Sequence, residues 1–109
     1  MKIMLSLIFM LASSLAAAEC VKPDAPALPD GASSDMQAMV EGQKAVRVYV
    51  AGTEAYLECL NAMDQEAGGE ANPEVELARI EAHNGAVDEM EQVAAEFNEQ
   101  IKEYKAKAK

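Results

Sequence analysis

The chain has four prolines, Pro23, Pro26, Pro29 and Pro73, and their placement restricts the fold more than any other feature of the sequence. Three of them recur at every third residue, the period of a polyproline II turn, so residues 19–33 are predicted to form an extended arm. No proline follows Pro29 until Pro73, and none follows that. Both long intervals are therefore open to helix, because proline is the residue that a helix interior tolerates least.

The helical pattern is present in both. Ser34-Asp35-Met36-Gln37 reads as a capping box, and from Met36 an apolar stripe runs through Met39, Gln43, Val46, Val50, Thr53, Leu57 and Leu60, widened by Tyr49, Tyr56 and Met63. Gly68-Gly69 ends this helix. Asn72 caps a second one, with Pro73 at its first position, where a missing N–H costs nothing. Its stripe is Leu77, Ile80, His83, Val87, Met90, Ala94, Phe97, Ile101 and Tyr104. The predicted fold is all-α: an antiparallel two-helix hairpin over residues 34–109, with helices at about 34–67 and 73–106. Antiparallel partners around a loop near residue 70 should have residue numbers summing to about 140, which sets Leu60 on Ile80, Leu57 on His83, Gln43 on Phe97 and Met39 on Ile101.

A second stripe on the first helix is made of small residues: Ala38, Gly42, Ala45, Gly52, Ala55, Cys59 and Ala62. Mid-helix glycines cost about 1 kcal/mol each unless something packs closely on them. The arm can supply that packing. From Cys20 to Ser34 it spans about 43 Å at the polyproline rise, and Ser34 to Cys59 is about 38 Å of helix. The arm is thus expected to fold back along the small-residue face and reach Cys59.

Residues 1–18 are expected to be a removable export signal: Lys2 precedes an apolar run from Ile3 to Leu11, and Ala16 and Ala18 suit signal peptidase. Glu19 immediately before Cys20 argues against a lipoprotein, and Ser13-Ser14 interrupts a segment already short for a retained anchor. The expected location is periplasmic, with no membrane span after cleavage. Two cysteines in an exported chain most simply form the disulfide Cys20–Cys59, the alternatives being an intermolecular bridge or two free thiols. No Cys-x-x-Cys pair points to redox catalysis.

Cys20-x-x-Pro23-x-x-Pro26-x-Leu28-Pro29-Asp30-Gly31, followed by Tyr49, Tyr56-x-x-Cys59 and Phe97-Asn98-x-x-Ile101-x-x-Tyr104-Lys105, resembles a group of small uncharacterised exported, periplasmic proteins of Gram-negative bacteria. The resemblance spans nearly all of the chain after the signal. It implies export and paired cysteines, and no activity.

Charge removes one class of function. All 19 acids lie beyond residue 18 while Lys2, one of nine bases, does not, so cleavage would leave a formal charge of −11. Nucleic acid is excluded as a partner, since phosphate contacts need clustered Lys and Arg. His83 is the only histidine, and no spacing forces a nucleophile or carboxylate beside it. It is expected in the seam near Leu57, Thr53 and Tyr56, bonded to a hydroxyl. No calcium-loop motif and no His pair at i, i+4 occurs, so no metal or other cofactor is expected, and the acids read as a solvated face.

The remaining expectation is a non-enzymatic periplasmic protein-interaction module, such as an adaptor, inhibitor or chaperone-like helper, with a protein partner or basic client. A two-helix hairpin cannot bury all its apolar surface, so an edge should stay exposed or be covered in a homodimer. Val40, Val48, Tyr49, Tyr56, Val75 and Val93 are the expected contact residues. The alternative class is a weak metal-binding or metal-buffering protein.

Overall fold

Asp35 opens the first helix. Its carboxylate accepts a hydrogen bond from the Ala38 amide at 2.8 Å and its carbonyl accepts from Met39, leaving the helix α1 to run Met36–Ala67. The expected cap, Ser34, is otherwise engaged. The Ser33 and Ser34 amides both donate to the Asp30 carbonyl and the Ala32 amide donates to the Asp30 carboxylate, so the chain turns sharply just before α1. The second helix, α2, spans Pro73–Lys107. Its cap is the expected one: the Asn72 side-chain oxygen accepts from the Glu74 amide at 2.9 Å. Glu74 and Glu76 in the first turn and Lys105 and Lys107 in the last complement the helix dipole.

The computed structural model describes residues 20–67 and 72–107. The export signal expected over 1–18 and the Gly68-Gly69 stop lie outside the described residues. Within them the architecture is two helices packed against each other, with no strand, and no helix is long and apolar enough to cross a membrane.

The arm is the third packing element. A disulfide joins Cys20 to Cys59, with Cα atoms 5.6 Å apart, and the Met63 sulfur lies 3.4 Å from Cys20 Sγ. From there the arm runs antiparallel to α1 along its small-residue face. A β-carbon at Gly52 would meet the Pro23 ring at 3.3 Å, and one at Gly42 would meet the Pro29 ring at 2.7 Å. The nine residue-to-residue steps from Pro29 to Cys20 rise about 28 Å and the helix from Gly42 to Cys59 about 26 Å, so arm and helix keep pace. At the far end Gly31 crosses to α2, where its amide donates to Gln100 Oε1 at 2.8 Å.

The core lies between all three elements, and this shifts it from the expected seam. Met39, Tyr49, Thr53 and Leu60 of α1 are buried against Ala86, Val93 and Phe97 of α2. On α1 the inward positions run 39, 42, 46, 49, 53, 56 and 60, all buried or half-buried. Met39, Val46, Thr53 and Leu60 were expected there, with Tyr49 and Tyr56 on the edge; Gln43 is exposed, and Gly42 and Tyr49 take the inward places assigned to it and to Val50. Each helix has rotated its most buried line toward the arm, because the arm supplies apolar cover on that side only. The pairing along the hairpin matches the expected register: Leu60 and Ile80 line one groove, and Gln43, Phe97, Met39 and Ile101 line another.

Candidate functional site

Three elements meet at Glu89. Its carboxylate accepts from the Tyr49 hydroxyl at 3.0 Å through one oxygen and from Lys22 Nζ at 2.5 Å through the other, joining α1, α2 and the arm. The hydrogen bond from Lys22, then that from Tyr49, hold the Glu89 carboxyl below its usual range. The same contact with Glu89 raises Lys22, and burial followed by the bond to Glu89 raises the Tyr49 phenol. Thr53, fully buried, donates to the Tyr49 carbonyl at 2.9 Å. This constellation clasps the arm. Its phenol and lysine are both spent on one carboxylate, which leaves neither as a free nucleophile or base.

Tyr49 and Val93 are consequently corrections to the expected contact surface. Tyr49 is 3 % exposed and Val93 6 %, because the inward rotation that accommodates the arm carries both into the core. Tyr56 is half-buried on the same column. Val40, Val48 and Val75 are exposed, as the contact role requires, yet they do not form one patch. Val48, at 73 % exposure, sits beside the arm in a groove of about 440 Å³ with Pro23, Pro26, Asp24, Glu41 and Lys44. Val40 faces the opposite side of the hairpin, and Val75 stands in the first turn of α2.

That opposite side is uncovered. At the end where α1 begins, Met36, Val40 and Gln43 form a groove with Phe97, Ile101 and Tyr104, and Met36 is 70 % exposed. At the loop end, Leu60, Asn61 and Asp64 form another with Ile80, His83 and Asn84. Val50, Leu57, Val87, Met90 and Ala94 are only half-buried, and helical spacing sets them on the face between the grooves. Met36, Leu77 and Ile80 were expected in the seam and are instead exposed, since no third element covers this side. A line of half-buried aliphatic residues flanking the seam was the available signal for this face.

His83 is half-buried and lines the loop-end groove beside the Arg79–Asp64 ion pair. Of the hydroxyls expected near it, that of Thr53 donates to the Tyr49 carbonyl instead. Among the described residues, no three His, Cys, Asp or Glu side chains gather as a metal ligand set.

Fold and site together define a disulfide-clasped helical hairpin with one face under its own arm and one face open. No protein-family model, curated protein or solved structure matches the chain.

Proposed function

We infer that the chain is a non-enzymatic protein-interaction module of the periplasm, an adaptor, inhibitor or chaperone-like helper that acts through the open face of the hairpin. The observation that carries this reading is the uncovered apolar face itself: exposed Met36, Val40 and Ile80 lie in line with half-buried aliphatic residues in a chain of net charge −10. Export is supported by the Cys20–Cys59 bond, of a kind that persists in oxidising compartments, and by the resemblance to exported Gram-negative proteins. The acidic flanks of the face suit a partner that presents lysine or arginine around an apolar centre.

A photo-crosslinking residue placed at Val40 or Ile80 in the exported protein tests this. Discrete protein crosslinks are expected from those positions and none from Ala55, which is exposed on the outer side of α1. Absence of crosslinks from Val40 and Ile80 would refute the reading.

A further inference from the structure

We propose that the open face is occupied by a second copy of the same chain, the two hairpins stacking about a two-fold axis that lies in the interface and crosses the helices at right angles. The inference rests on the interaction-module reading and names its partner. The open face has the required size. Helices about 48 Å long, lying side by side at 8–10 Å, offer roughly 900 Å² per copy, comparable to the ~800 Å² per partner of a stable interface.

Charge sets the direction of stacking. The end where α1 starts and α2 finishes carries Lys44, Arg47, Lys102, Lys105 and Lys107 against Asp30, Asp35, Glu41, Glu96, Glu99 and Glu103, and is nearly neutral. The loop end carries Arg79 against Glu54, Glu58, Asp64, Glu74, Glu76 and Glu81. A two-fold axis parallel to the helices would stack the two acidic ends on each other. An axis across them sets each acidic end against the lysine-bearing end of the other copy and lays α1 antiparallel on its mate.

The same operation pairs particular residues. Full overlap of Met36–Ala67 with its mate puts the axis near Ala51. Val40, Arg47, Glu54 and Asn61 follow one another at seven-residue steps, and Val40 and Asn61 line the two grooves of the open face, so Arg47 and Glu54 stand on its rim between them. Arg47 of each copy then faces Glu54 of the other. Glu91 lies near the axis on α2 and meets acidic residues of its mate, a contact that opposes association.

Sedimentation equilibrium of the disulfide-bonded chain, with circular dichroism to verify folding, decides it. A dimer is expected whose Kd rises about tenfold or more in Arg47→Glu, returns to near the original value in Arg47→Glu combined with Glu54→Arg, and falls in Glu91→Gln. A chain monomeric at all concentrations, or a dimer unaffected by Arg47→Glu or not restored by the double reversal, overturns the proposal. A monomer whose crosslinker at Val40 still captures a different protein sinks self-association and leaves the interaction module standing; a monomer without crosslinks sinks both.

Discussion

Gly31 lies so close to α2 that a β-carbon on it would stand 1.8 Å from the backbone carbonyl oxygen of Gln100. No rotamer relieves such a clash, because both atoms belong to backbones, so Gly31→Ala must push the arm's turn off the helix. A loss of about 3 kcal/mol or more is expected. Gly85 is the internal control, since its β-carbon would meet nothing within 4 Å. Gly85→Ala should stabilise by about 1 kcal/mol through helix propensity. Urea midpoints measure both, and shifts of the same sign would contradict the packing described.

The Cys20–Cys59 bond closes a loop with a sequence separation of 39, which in the chain-entropy model stabilises the fold by about 4 kcal/mol. Reduction, or replacement of both cysteines by serine, is expected to lower Tm by at least about 10 °C. Thermal melts with and without reductant test this. A Tm indifferent to reductant would show that the bond adds no stability beyond the arm's noncovalent contacts.

Stability should depend on pH through the clasp at Glu89. Glu89 is lowered in the fold, so its contribution is complete above its unfolded value of about 4.5 and is lost as pH falls through the folded value. Lys22 and Tyr49 are raised, so theirs are complete below their unfolded values near about 10 and are lost as pH rises through the folded ones. Glu89→Gln is therefore expected to lower the neutral-pH denaturation midpoint and to flatten the acid limb of the profile. An acid limb as steep as in the unaltered protein would place the titration elsewhere.

Gly42 and Gly52 both lie under the arm but unequally. Gly42 is wedged between the Pro29 ring and Phe97, whose ring edge a β-carbon would meet at 3.2 Å, while Gly52 has the Pro23 ring alone. Leucine at either position keeps helix propensity and obstructs the arm, with the larger effect at 42. Limited proteolysis should nick residues 21–31 fastest in Gly42→Leu and more slowly in Gly52→Leu, with far-UV dichroism nearly unchanged. Equal protection in both variants and the parent would remove the arm from the small-residue face.

The hairpin, its register, the arm and the Cys20–Cys59 bond were legible because each rests on local punctuation or simple lengths: proline spacing, the Asn72-Pro73 start, and the match between arm and helix. The orientation of the core was not. Columns through Gly42, Tyr49 and Tyr56 and through Gln43, Val50 and Leu57 are neighbours on one helix, and apolar periodicity fits both. The arm decides between them by covering only one side, and that placed Tyr49 and Val93 inside and Met36 and Ile80 outside. The Lys22–Glu89 contact joins residues 67 positions apart, beyond the reach of any helical spacing rule. At the start of α1, Ser34 and Asp35 are both good caps, and only the turn at Asp30, which takes the Ser34 amide, separates them.

The disulfide also reroutes mechanical load. Tension applied ahead of Cys20 passes through the sulfur bridge into the backbone at Cys59, and the 38 intervening residues, comprising the arm and most of α1, carry none of the tension between the two ends. Pulling the chain from its ends would therefore strip α2 and the last turns of α1 while the covalent ring from 20 to 59 stays out of the line of force.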